Sequence, residues 1–340
     1  MSTVLYHYTT YDVGVELILA DRKLRASPLA KSNDPYEYKR RAMGVGFSRV
    51  ENPRVPPSRV NEAWRTLIEQ QTKVLCFTAD SLPSESAELS AFAEGFAKAR
   101  MWAQYGANHS GICLGFDLVA LVSHMSSDGQ IPVSSVEDIA SLSGLDLPLI
   151  IHGPVKYGSL PGKQLVIPNS DLKKTKLSQL LVRFLLDNAQ SVLFSKSLDW
   201  SAENEYRVVV VSPSCGYQRF DIGQSIVSIS LGPKAPQDDE AVFQRLRDTC
   251  CTLYRMDWEG GVPSRCKQDE LYFLRKRVLR RIRQLYKNLS QTPACDDFVQ
   301  NTYGEDRWRL YWRCVYHTAL DNSDDEIAKL SEWIVELDSE

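Results

Sequence analysis

Four consecutive valines at 208–211, led into by Glu203, Glu205 and Arg207, constrain this chain more than any other stretch. A β-branched run of this kind reads as a buried strand. The segment 194–211 therefore carries an acidic, aromatic and basic cluster straight into the middle of a sheet. Glu203 and Glu205 stand two residues apart. If the strand already begins there, both leave the same face, while Tyr206 and Val208 leave the other. Two adjacent carboxylates at the mouth of a buried strand repel each other, so Arg207, Lys196 or a ligand has to compensate them. A surface ion-pair cluster at a strand end is the plainer alternative.

Further strands are expected at 4–10, 24–28, 73–78, 112–116, 150–157 and 226–231, from alternation or short apolar runs bounded by turn residues. Helices are expected at 11–20, 60–71, 86–105 and 172–195. Residues 121–148 are rich in Ser and Asp and read as a loop with a short helix. This succession predicts an α+β fold, a mixed and mostly antiparallel sheet with flanking helices over 1–237. From 238 to 340 the texture changes to helix without strands. There, Leu271, Leu274, Val278, Ile282 and Leu285 form one apolar face. Arg277, Arg280, Arg281 and Arg283 lie on the opposite side, and the segment 267–290 holds eight basic and two acidic residues. Such a face can hold phosphates of RNA or DNA; pairing with the acidic tail from 321 is the competing explanation.

The 340 residues are 43% hydrophobic with a net charge of −3, so the chain is an ordinary globular one and any nucleic-acid contact has to be local. The N-terminal ten residues lack the pattern of a secretory signal, and no apolar run approaches the roughly 20 residues that span a bilayer. A cytoplasmic protein without membrane contact is expected. The eight cysteines show no Cys-x-x-Cys and no Cys/His spacing suited to zinc. They predict reduced, mostly buried thiols and no metal site, with Cys76 filling a core position on its strand.

Candidate site residues come from the strand ends. On the first strand Leu5 and His7 point one way and Tyr6 and Tyr8 the other, and Thr9 or Thr10 caps the helix expected at 11–20. A lone strand histidine is as a rule structural, bonded to a neighbouring carbonyl. Tyr105, Asn108 and His109 sit where a helix gives way to a strand, on the rim where clefts form.

Several blocks together resemble the bacterial family called domain of unknown function 2971. They are Tyr6-His-Tyr-Thr9, Ser32-Asn-Asp-Pro-Tyr-Glu37, Cys76-Phe-Thr78, Met101-Trp-Ala-Gln-Tyr105 with the stretch to Asp117, Val155-Lys-Tyr157, Phe194-x-Lys196, and Trp200 followed by Glu203-x-Glu-Tyr-Arg207. The resemblance runs over about 4–235. A second one is to ADP-ribosyltransferases, carried by a histidine on the first strand, an aromatic residue on a middle strand and the late Glu-x-Glu.

That second resemblance implies an ADP-ribosyltransferase-like fold that uses NAD. His7 would bond the nicotinamide ribose and Tyr105 or Tyr157 would stack on the nicotinamide ring. Glu205 would bind the ribose hydroxyl and steady the charge that develops as nicotinamide leaves, while Glu203 would engage the acceptor. Arg25 or Lys196 would hold the pyrophosphate, with Thr9, Asn33 and Arg207 among the residues around the cofactor. The acceptor would be a nucleic acid or a protein, in a toxin or phage-defence setting in which an antitoxin can be a partner. The alternative from another class is a non-catalytic nucleic-acid or protein binding or sensor module, with Glu203, Glu205 and Arg207 as a structural network. A nucleotide hydrolase using His7 and His109 is a third reading.

Overall fold

A computed structural model describes residues 3–34, 45–47, 55–81, 90–127, 129–158, 165–167, 175–236, 242 and 251–268. The basic segment with Arg277, Arg280, Arg281 and Arg283 lies outside the described residues. The chain divides into two compact units. One holds 1–237 and 248–266, the other 238–247 and 267–340.

The first unit is built on a sheet of eleven strands. In chain order they are β1 (Val4–Thr9), β2 (Lys23–Pro28), β3 (Thr72–Ala79), β4 (Ile112–Asp117), β5 (Val133–Ser135), β6 (Leu149–Pro154), β7 (Glu205–Val211), β8 (Gln218–Asp221), β9 (Ile226–Leu231), β10 (Thr252–Glu259) and β11 (Val262–Lys267). They lie in the order β11-β10-β9-β4-β1-β3-β7-β6-β5, with β2 and β8 branching from β3. Most neighbours are antiparallel; β9–β10 and β5–β6 are parallel. The fold is α+β, as the sequence predicts. Helices α1 (Pro57–Thr66), α2 (Ala99–Gln104), α3 (Leu118–Met125) and α4 (Leu177–Asp187) flank the sheet.

The valine run behaves as expected. Val208, Val209, Val210 and Val211 are all fully buried. Val209 and Val211 join Trp64, Ile68, Leu149, Ile151, Leu181 and Leu185 in one core cluster, which places α1 and α4 over that face. Burying a valine or leucine stabilises by roughly 1.5–3 kcal/mol, so this cluster dominates the hold of β7 on the molecule.

Three expectations are corrected. The region after 238 is not free of strands, because β10 and β11 extend the sheet there; Leu253 and Met256 are buried in it. The segment 86–105 is no continuous helix. Glu94 and Lys98 are extended and bracket a short turn, Gly95–Ala97, and Lys98 separates that turn from α2. Gly95 is fixed by its neighbours: its N–H donates to Asp80 Oδ1 at 2.6 Å, and its carbonyl accepts from Tyr8 OH at 2.6 Å. These tertiary bonds outweigh the helical propensity of the flanking residues. The expected strand at 150–157 is split, so that Lys156–Tyr157 leaves β6 and pairs in parallel with Ser195–Lys196.

One feature of the sheet positions the site. Strand β3 pairs with β1 only through Leu5↔Ala79 and Tyr6↔Thr78. Further along the same strand it pairs with β2, through Ser27↔Val74 and Pro28↔Lys73. Between these contacts β1 veers away to stay in register with β4 up to Thr9↔Ile112. The sheet therefore forks beside Leu75, Cys76 and Phe77.

Candidate nucleotide cleft at a fork in the sheet

A cleft of about 210 Å³ opens at the fork. Strand register orders its walls. Tyr6, Thr78 and Glu205 form one cross-strand row, and Arg207 lies opposite Cys76, so these side chains share a face. Ser27, opposite Val74, shares that face, and Arg25 follows two residues away. The turn Leu29–Lys31 with Ser32 and Asn33, the tip of α2 with Tyr105, and Lys196 and Glu203 complete the lining.

The acidic end is built by a backbone reversal. Glu203 is not on the strand as the same-face reading supposed. It ends a 3-10 turn, Leu198–Glu203, and Asn204 adopts a left-handed conformation (φ 43°) before β7 begins at Glu205. Asn204 Nδ2 donates to the Ala79 and Asp80 carbonyls at 2.8 and 3.1 Å, which fixes the reversal and lets both carboxylates converge.

Compensation of the two acids is then shared by the two cations the sequence offered. Lys196 Nζ donates to Glu203 Oε2 at 2.5 Å and to Glu205 Oε2 at 3.2 Å. It also lies 4.5 Å from the centre of the Trp200 ring. Arg207 grips Glu205 with two parallel bonds, Nε to Oε1 at 2.7 Å and Nη2 to Oε2 at 3.0 Å, and its Nη1 donates to the Leu193 carbonyl at 2.7 Å. Tyr105 OH donates to Glu203 Oε1 at 2.8 Å and also bonds Asn33. Tyr157 OH accepts the Glu205 N–H at 2.7 Å. One connected network thus runs from the rim at Asn33 to a core carbonyl.

The two carboxylates end up in different situations. Each carboxylate oxygen has room for about two donors. Glu205 receives Arg207 twice, Lys196 once and the Cys76 thiol, so its capacity is filled. Glu203 has one bond on each oxygen, from Tyr105 and Lys196, and keeps room for a ligand hydroxyl. Burial alone would raise the Glu205 pKa. The charge and hydrogen bonds of Arg207, with Lys196 and Cys76, overcome burial and hold it down at about 2. Its ordinary value is 4.5, so its contribution is complete above that pH and is lost as pH falls toward 2. At 1.36 kcal/mol per unit this amounts to roughly 3 kcal/mol. Urea unfolding is expected to show roughly 2 kcal/mol of this lost between pH 6 and pH 3, and a Glu205→Leu/Arg207→Met double variant to lose correspondingly less. Equal losses in both proteins would show that the pair carries no such linkage.

His7 lines the cleft but does not stand in the row of Glu205. Register directs it away from the row of Tyr6, Thr78 and Glu205, onto the face where it meets Phe77 at 5.7 Å between ring centres. Its Nδ1 donates to the Cys76 carbonyl at 3.1 Å. That carbonyl lies where β1 and β3 have parted, so the ring closes a gap in the ladder. Burial lowers the His7 pKa, which keeps the ring neutral. His7 forms part of the cleft floor and pins the fork.

The cleft thus brings together His7, Arg25, Asn33, Tyr105, Lys196, Glu203 and Glu205. Arg207 and Tyr157 stand behind Glu205, on its carboxylate and its N–H. Thr9 is outside the lining and packs against Gly14 and Gly111. His109 lies against Trp258 at 5.4 Å, away from the cleft, which leaves the paired-histidine hydrolase without its second group.

Sequence reasoning passed over Ser27, Lys31, Cys76 and Thr78. Cys76 is exposed rather than buried in the core, since the fork removes the neighbour that would cover it. The Thr78 hydroxyl is fully buried and has no hydrogen-bond partner among the described residues. The signal available was the spacing Cys76-x-Thr78, which places both on the face of Glu205 once the register is known. Among the described residues no group of His, Cys, Asp and Glu is arranged to hold a metal ion, and no helix is long and apolar enough to cross a membrane.

Residues 101–208 match the model of a family described as Protein of unknown function (DUF2971). The match spans under half of the chain and takes in Tyr105, Lys196, Glu203, Glu205 and Arg207, so the first resemblance holds over the acidic end of the cleft. No curated protein and no solved structure matches the chain.

Proposed function

We propose that the cleft binds NAD and that the chain transfers ADP-ribose from it to a macromolecule, through an ADP-ribosyltransferase-like arrangement. The observation that carries the reading is the lysine-bridged pair of glutamates at the closed end of a forked sheet, with Tyr105 beside it. Arg25 and Lys31 stand exposed at the other end beside Ser27, Ser32 and Asn33, a set of donors suited to a pyrophosphate. A cleft of about 210 Å³ suits the nicotinamide riboside half, with the other half lying outward past Arg25.

In this reading the working carboxylate is Glu203, not Glu205. Glu203 retains acceptor capacity for a ribose hydroxyl and places negative charge where positive charge grows as the bond to nicotinamide lengthens. Glu205 is a positioning residue. It holds Lys196 so that the ammonium keeps the Glu203 carboxylate aimed into the cleft. The acceptor is a nucleic acid held by the basic segment 267–290, or a protein, and modification of such a target suits a toxin or phage-defence effector. The experiment is incubation of the full chain with NAD labelled in its adenylate part, together with RNA or cell extract. Label is expected on a macromolecule, with free nicotinamide released in equal amount.

A second reading is favoured by the filled shell of Glu205 and the pinned ring of His7. The cleft would then be a ligand-sensing module without chemistry. NAD bound by the chain with no nicotinamide released under any condition would decide for that module.

A further inference from the structure

Cys76 is exposed on an interior strand of the sheet, at the fork where β3 has a paired neighbour on the β7 side alone. It opens into the cleft, and its thiol donates to the Glu205 carboxylate. Two residues along the same face is Thr78, fully buried, lining the cleft, with its hydroxyl unpartnered among the described residues. A buried hydroxyl without a partner is a place for an incoming hydrogen-bonding group. The surroundings select what can approach. Exposed Arg25 and Lys31, with Ser27, Ser32 and Asn33, present positive charge and donors at the mouth. They favour a compound that carries carboxylates.

We infer that Cys76 is a thiol-modification site for anionic low-molecular-weight disulfides of the glutathione type, and that the mixed disulfide occupies the cleft and closes it. The step balances as a disulfide exchange. The exposed Cys76 thiol gives up its proton to water, and its sulfur attacks one sulfur of the disulfide. The new S–S bond forms as the old one breaks, and the second half leaves as a thiolate that takes up a proton. No other oxidant is needed, and a reducing thiol reverses the reaction. Closure as regulation rests on the nucleotide reading of the same cleft; the modification itself does not.

The test uses the full chain and two reagents, oxidised glutathione and the small neutral methyl methanethiosulfonate, with each cysteine followed by peptide mass mapping. Cys76 is expected to form the glutathione adduct, and dithiothreitol to remove it. An Arg25→Gln/Lys31→Gln variant is expected to react roughly tenfold more slowly with glutathione disulfide through lost electrostatic attraction, and at an unchanged rate with the neutral reagent. Slowing with both reagents would point to a disturbed fold and would overturn the charge-selected site. So would adducts at exposed Cys215 and Cys266 with none at Cys76. NAD is expected to protect Cys76 from both reagents. Modification of Cys76 that NAD does not slow would keep the thiol site and remove the nucleotide from the cleft, so the two readings fail separately.

Discussion

Arg207→Met is expected to destabilise the protein by about 3–5 kcal/mol, because it strands a buried carboxylate. Arg207 and Glu205 are 1% and 5% exposed, so water cannot step in for the lost partner. Lys196 would remain, but its ammonium is already divided between Glu203 and Glu205. The Leu193 carbonyl would lose its donor as well. A loss of this size lowers Tm by roughly 10 °C in a unit of this length. Replacing both partners, Glu205→Leu with Arg207→Met, is expected to recover most of the loss, since a matched apolar pair leaves no charge unpaired. Thermal unfolding of the three proteins followed by circular dichroism checks this. If the single variant melted with the wild type, the ion pair would not be holding the start of β7.

Glu203→Gln is expected to act on chemistry with little effect on stability. The amide keeps the shape of the side chain, Lys196 keeps Glu205 and can donate to the amide oxygen, and the amide N–H can donate to the Tyr105 hydroxyl oxygen. What disappears is the negative charge facing the cleft. Where such charge steadies a developing cation, its loss lowers the rate by about 10²–10³-fold. Transfer of label from NAD is therefore expected to fall by at least about a hundredfold at an unchanged Tm. Glu205→Gln offers the contrast, since it weakens the grip of Arg207 and lowers stability and transfer together. Full transfer by the Glu203 variant would take that residue out of the reaction.

The two variants separate what the sequence made plain from what it hid. The buried strand under the valines, the need to compensate Glu203 and Glu205, and the identity of the compensating cations all come from residues within about a dozen positions of one another. The opposite facing of His7 and Tyr6 came from alternation alone. Pairing between distant segments was not legible. The fork exists because β3 exchanges β1 for β2 partway along its length, and neither short pairing leaves a periodic mark in the chain. Cys76 was read as core for the same reason: its strand is apolar, and only the missing neighbour exposes it. The strands β10 and β11 were overlooked beside the stronger helical pattern C-terminal to them. In that stretch Thr252, Tyr254 and Arg255 alternate poorly with Leu253 and Met256, and the parallel pairing of β9 with β10 gives no hairpin turn; Gly260-Gly261 between β10 and β11, both at positive φ, is the hairpin signal the sequence does carry.

The most direct test of a nucleotide in the forked cleft is titration calorimetry of NAD into the wild type and into Ser27→Trp. The indole is placed to fill the cleft from the β2 side, where Ser27 stands opposite Val74, while Glu203, Lys196, Glu205 and Arg207 all keep their side chains. Saturable binding to the wild type is predicted, and none to a Ser27→Trp protein with the circular dichroism of the parent. Equal binding to both would place the nucleotide elsewhere and contradict that assignment.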